Sequence, residues 1–238
     1  MLIKTKLIVL HSLRFGEADL IVRCFTKEKG SLSFLLKGVL KSKKGKLKSS
    51  LFQPLHMLDA VVQHKEGRKL SYFREAKIDF PYKSISTNIF KSSIALFLAE
   101  LIGICIQEEE QNPSLYHFLE EQFIALDQSD QFANFHLKFM VDFTKYLGFL
   151  PQKGNPQEAY FNLEDGQFQA TETNNYCLQN ANTKLLQQLL QENKETTQQF
   201  NLNQNRRQEF IQMMLLYYQL HLSGFRKPKS LEVLNQLF

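Results

Sequence analysis

Apolar and polar positions alternate through the first third of the chain. IKTKLIVLH at 3–11, LIVRCFT at 20–26, SLSFLLKGVL at 31–40, LFQPLHMLDAVVQHK at 51–65 and KLSYFREAKIDF at 69–80 each read as β-strand. FGEAD, KEKG and KEGR supply turns between them. Pro54 falls near the start of the fourth run, where a strand tolerates it. Five short strands in about 80 residues predict a small Greek-key barrel of the OB type, a fold that commonly binds single strands on one face.

After Pro81 the period becomes helical. Ile94, Phe97, Leu98, Leu101, Ile102 and Cys105 recur at helix spacing within 86–110. Pro113 is placed to open a second helix over 114–126. A third, over 132–151, stops at Gly148 and Pro151. Residues 152–178 lose the period, and AYFNLEDGQFQA predicts a small hairpin about Asp165-Gly166. Helices follow near 182–193 and 203–222, with a short one in KSLEVLNQLF. The expected class is α+β: an N-terminal barrel over 1–80, then a mainly helical domain over 81–238 with an irregular insertion at 152–178.

Charge divides along the same line. The 238-residue chain is +5 overall, but residues 1–80 hold 17 Lys and Arg against 7 Asp and Glu, and the remainder is net −5. Six lysines fall between Lys37 and Lys48 with no acid among them. A basic module with an anionic partner, joined to a module with another task, is the reading this asymmetry supports. Lysines hold phosphates without reading sequence. Phe34, Phe52, Tyr72 and Phe73 could add stacking platforms, although strand parity must turn Tyr72 and Phe73 to opposite sides.

Other chemistry is scarce. Phosphate-binding glycine loops, zinc-spaced Cys/His sets and hydrolase elbows are missing from the sequence. Cys24, Cys105 and Cys177 are odd in number and widely spaced, which argues against a disulfide framework and for a reducing compartment. Lys4 and Lys6 interrupt the first apolar run, so no signal peptide is expected, and no run is long enough to span a membrane. The acidic run Glu108–Glu110 would splay around a helix end rather than converge on a metal. No cofactor, metal or catalytic residue is expected.

LRFGEADLIVRCFTKEKGSLSFLLKGVLKSKKGKLKSSLFQP resembles the start of the RecO family of bacterial recombination mediators, and EEEQNPSLYHFL, YLGFLP and LHLSGFRKPKSLEVL follow in that family's order. The resemblance implies an OB barrel with a helical domain and a cytoplasmic, nucleoid-associated protein that is not an enzyme. It implies binding of single- and double-stranded DNA and annealing of complementary strands. It also implies work with RecR to load recombinase onto strands coated by single-strand-binding protein. Two departures stand out. The basic loop is all lysine where relatives often carry arginine, so charge is kept and the guanidinium fork is lost. Many relatives carry four zinc-binding cysteines after the Leu-Gly-Phe helix end, and QKGNPQEAYFNLEDGQF has none.

The expected DNA contacts are Lys37, Lys41, Lys43, Lys44, Lys46 and Lys48, with Arg68, Lys69 and Arg74 secondary. By resemblance, the acidic C-terminal tail of single-strand-binding protein is gripped on the helical domain. Lys138 and Lys145 share one face of FHLKFMVDFTKYLGF beside Phe135, Phe139 and Phe143, and Lys138 matches a basic position of the family. An RNA-binding OB scaffold and a metal-dependent nuclease using Glu108–Glu110 are the alternatives.

Overall fold

The computed structural model describes residues 1–41, 47–106, 110–155, 157–191 and 200–238. It forms two compact units. Unit 1 is Met1–Gln128 with Pro228–Ser230, and unit 2 is Ser129–Lys227 with Leu231–Phe238.

Unit 1 is built on strands β1 (Leu2–Phe15), β2 (Asp19–Thr26), β3 (Gly30–Leu36), β4 (Met57–Gln63) and β5 (Tyr72–Phe80). They form an antiparallel sheet in the order β3-β2-β1-β4-β5. The edges β3 and β5 meet at an isolated parallel bridge, Phe34 to Ser71. There Leu35 N–H donates to Ser71 O at 3.0 Å and Ser71 N–H to Ser33 O at 2.8 Å. The sheet is thus curled but not fully laddered, the partly open five-stranded form of an OB-type fold.

The inward residues of the alternating runs fill the core: Leu7, Val9, Val22, Cys24, Phe34, Leu58 and Val62 pack together with Phe52 and Phe73. The continuous apolar run Leu7–Leu10 has a different cause. A bulge between Val9 and His11 leaves Leu10 without a partner on β2. Ile8 and Leu10 are as buried as Val9, yet lie outside the barrel core. Gly103 of helix α1 (Ile89–Cys105) lies against Leu10, so β1 is covered on both faces.

The fourth run differs from its expected extent. Its first residues form a 3-10 turn, Ser49–Phe52, and the strand begins at Met57. Leu55 adopts a left-handed φ of 63° and is fully buried. Its N–H donates to Val9 O at 2.7 Å, a tertiary bond that overrides the extended propensity of the run.

Asn88 caps α1, its side chain accepting from Phe90 N–H at 3.0 Å and Lys91 N–H at 3.2 Å. At the other end Arg23 on β2 donates to Ile106 O at 2.7 Å, a cation at the C-terminal end of the helix. Helix α2 (Pro113–Gln128) opens on Pro113, with Asn112 accepting from Leu115 N–H at 3.0 Å. Gly30 sits at a φ of 63°, and a Cβ there would fall 2.2 Å from Glu110 O, so only glycine fits.

Unit 2 contains α3 (Phe135–Tyr146), a three-stranded sheet, α4 (Ala181–Gln191), α5 (Gln204–His221) and α6 (Leu231–Leu237). The sheet has the order β7-β6-β8, from β6 (Tyr160–Asn162), β7 (Gln167–Gln169) and β8 (Cys177–Leu178). The expected hairpin about Asp165-Gly166 is β6–β7; the third strand, two residues long, was not expected. The Leu-Gly-Phe end of α3 acts as an anchor. Phe149 N–H reaches back to Thr144 O at 3.1 Å, and its ring stacks on His221 at 5.2 Å. Its carbonyl accepts the Tyr217 hydroxyl at 2.7 Å.

Candidate nucleic-acid interface

The lysine loop leaves β3 beside the β1–β2 turn, because β2 starts opposite the end of β3: Leu20 pairs with Leu36. Three bonds tie its first arm to that turn. Gly38 N–H donates to the Asp19 carboxylate at 2.7 Å, Leu40 N–H to Ala18 O at 2.9 Å, and Lys41 Nζ pairs with Glu17 at 2.7 Å. The last is exposed and adds little energy; the Gly38 and Leu40 N–H groups fix where the arm runs. The far arm ends at Lys48, where the 3-10 turn buries Phe52. The loop is thus held at both ends by the barrel. Lys37, Lys41 and Lys48 are exposed; Lys43, Lys44 and Lys46 lie outside the described residues.

The secondary cations line the seam where β3 and β5 meet. Arg68 and Lys69 precede Ser71 on the β4–β5 turn, while Arg74 and Lys37 each lie three residues beyond a bridge partner. All four are exposed. Arg74 donates to the Gln63 side chain, and Arg68 lines a shallow depression with Lys65 and Tyr72. The described lysines therefore flank the β1–β2 turn, and the secondary cations flank the β4–β5 turn, on the two sides of the Phe34–Ser71 bridge. No acid other than Glu17 is ion-paired to them among the described residues.

The four aromatics separate sharply. Phe34, Phe52 and Phe73 are 0%, 1% and 8% exposed, and their rings pack at 4.3 Å and 5.0 Å in the core. Tyr72, of opposite parity, remains half-buried on the outer side. The sequence reading passed over a fifth aromatic. Phe15, the last residue of β1, is 54% exposed at the hairpin tip. Its signal was an aromatic residue opening the FGEAD turn.

On α3, Lys138 is half-buried and ion-paired with Asp142, whereas Lys145 is exposed, its ammonium 5.9 Å from the centre of the Tyr146 ring. Phe139 is 1% exposed and packs against Phe135 and Phe143 at 6.4 Å and 5.5 Å. It fixes α3 within unit 2 rather than presenting a surface. Asp142 is the acid that the spacing of the lysines did not bring into view.

Among the described residues no group of three or more His, Cys, Asp or Glu is placed to hold a metal ion. Glu108 and Glu109 lie outside the described residues, and Glu110 is exposed. In the segment 152–178 the single cysteine, Cys177, sits in a hydrogen-bonded knot. Its sulfur accepts from Gln169 Nε2 at 3.0 Å and Thr173 N–H at 3.4 Å. Asn162 closes the same knot, accepting from Glu164 N–H at 3.0 Å. Among the described residues no helix is long and apolar enough to cross a membrane.

Residues 1–82 match the family model described as "Recombination protein O N terminal", and residues 86–232 the one described as "Recombination protein O C terminal". The chain is 47% identical to the "DNA repair protein RecO" of Christiangramia forsetii and 40% identical to that of Flavobacterium johnsoniae. It is 35% identical to that of Phocaeicola vulgatus. Each alignment covers 100% of both chains.

Proposed function

We propose, from the premise that this chain belongs to the recombination protein O family of DNA repair proteins, that it is a DNA-binding recombination mediator without catalytic activity of its own. In this reading residues 1–80 hold single- and double-stranded DNA and support annealing. Residues 81–238 engage partners: RecR and the acidic C-terminal tail of single-strand-binding protein. The protein works in the cytoplasm, on the nucleoid, and needs no cofactor.

The observation that carries the reading is the lysine loop pinned at both ends to the barrel, with Lys37, Arg68, Lys69 and Arg74 beside the β3–β5 seam. A tethered loop of single-sign charge attracts a polyanion while its ends keep it from collapsing onto the protein's own acids. Lys43, Lys44 and Lys46 extend this charge, and Lys48 closes it. The tail contact is assigned to Lys145 and to Lys138 once an acidic peptide displaces Asp142, with Phe139 acting only by fixing the helix.

Binding of a labelled single strand at increasing salt tests the loop. Six lysines that each neutralise one phosphate give a slope of about −4 in log affinity against log salt. The quadruple variant Lys41→Glu, Lys43→Glu, Lys44→Glu, Lys46→Glu is expected to lose most binding with its unfolding transition unchanged. Wild-type affinity in that variant at moderate salt overturns the loop assignment. Competition by RNA of equal length separates this function from an RNA-binding one, since RNA selectivity rests on the 2′-hydroxyl.

A further inference from the structure

The tip of the β1–β2 hairpin is apolar where it should be polar. Leu13 and Phe15 are 55% and 54% exposed and, being two apart on β1, project from one face. Leu40 is also exposed, and its N–H is bonded to Ala18 O in the same turn. Phe15 pairs with Asp19, whose carboxylate accepts Gly38 N–H, so the ring's strand end and the root of the lysine loop are held together. Arg14, Lys37 and Lys41 are exposed around these residues, Lys41 in an ion pair with the exposed Glu17 of the same turn.

Apolar side chains scattered singly over a surface need no explanation. Three gathered at one tip among exposed cations are a different case. A protein partner of ordinary interface chemistry would match the apolar residues but not the surrounding positive charge. A nucleic acid duplex would match the charge and offer phosphates, but its base faces are stacked away. An unpaired strand supplies both, phosphates for the lysines and open base faces for the rings and methyl groups.

We infer that Phe15, flanked by Leu13 and Leu40, is a stacking platform for unpaired bases and gives this protein a preference for single over double strands. The inference rests on the proposed DNA binding. It assigns the discrimination to the hairpin tip, while the lysines contribute equally to both forms of DNA. The three core aromatics take no part, because their faces are occupied by one another.

The chain contains no tryptophan, so Phe15→Trp is a unique fluorescent reporter. Its emission is expected to be quenched by a saturating thymidine oligonucleotide and to change little with a duplex of equal length. Phe15→Ala is expected to weaken single-strand binding about tenfold, within the range for loss of one stacked base. Duplex affinity and the salt slope should match wild type. Because the ring is exposed, the variant's unfolding curve should also match.

Trp emission that does not move while anisotropy shows the oligonucleotide bound overturns the inference. So does an equal loss of single- and double-strand affinity in Phe15→Ala. Failure of the wild-type protein to bind any DNA is a separate result, seen without either variant, and overturns the proposed function itself.

Discussion

The ammonium of Lys91, buried in the first turn of α1, donates to the main-chain carbonyl of Asp127 at 2.8 Å. The Asp127 carboxylate accepts the N–H groups of Lys83, Ser84 and Ile85 at 2.9 Å, 2.8 Å and 3.0 Å. One residue near the end of α2 thus ties down both the start of α1 and the segment joining it to β5. Lys91→Met keeps the unbranched apolar stem and leaves the Asp127 carbonyl without that donor. The expected cost is about 1–3 kcal/mol, measured by urea unfolding.

Asp127 also makes unit 1 sensitive to acid. Burial works to raise its pKa, but the donors from Lys83, Ser84 and Ile85 prevail and hold it below the ordinary aspartate value. A depressed carboxylate stabilises the fold above its unfolded pKa, about 3.9. That contribution is lost as pH falls through the lower folded value. Asp127→Asn should be less stable than wild type at pH 7, and the difference should shrink below pH of about 4.

A second acid response belongs to unit 2. His136 is fully buried, neither ring nitrogen has a partner among the described residues, and burial lowers its pKa to about 3. Below about pH 6.5 the unfolded imidazole takes up a proton that the folded one refuses, so stability falls with pH down to about 3. The limiting slope is about 1.4 kcal/mol per pH unit. His136→Phe should flatten this limb in denaturant titrations between pH 7 and 4. A residual slope is expected from His56 in unit 1, which burial shifts in the same direction.

Gly30→Ala should destabilise unit 1 more than a surface substitution. The left-handed φ alone costs roughly 1–2 kcal/mol for an L-residue. The new Cβ would also meet Glu110 O at 2.2 Å, so the backbone of Glu110 must move. Thermal unfolding of the variant beside Gly67→Ala, whose φ is also positive but whose surroundings are open, isolates the clash from the backbone term.

The tail contact is tested by titrating a labelled acidic peptide with a hydrophobic tip. Lys145→Glu and Lys138→Glu are each expected to weaken it by about tenfold, or 1.4 kcal/mol, and to spare naked DNA. Asp142→Asn frees Lys138 of its partner and should strengthen binding. Unchanged affinity in all three moves the site away from α3.

Alternation and turn residues are local properties, and they made the five strands and the α1–α3 helices legible. What they did not disclose was set at long range. The start of β4 depends on Leu55 bonding to Val9, and no pattern within 51–57 announces that. β8 is two residues long, too short for a period, and exists because β6 offers it an edge. The lysines were visible as charge alone. Which aromatics remained outside was not, because curling of the sheet fixes its inner face, and only then do Phe34, Phe52 and Phe73 become one cluster. Asp142 escaped because the spacing of the lysines was weighed without the acid one turn beyond Lys138, and Phe15 because it opens the FGEAD turn.

Residues 228–230 carry a consequence for the order in which the molecule is made. The Glu100 carboxylate on α1 accepts Lys229 N–H at 3.0 Å and Ser230 N–H at 2.8 Å, so these residues complete unit 1. They are translated only after the whole stretch 129–227 of unit 2. Nascent chains ordinarily finish the N-terminal domain first. Here unit 1 leaves the ribosome with one carboxylate still waiting for its donors, and it is finished only after residues 129–227 of unit 2 have been made.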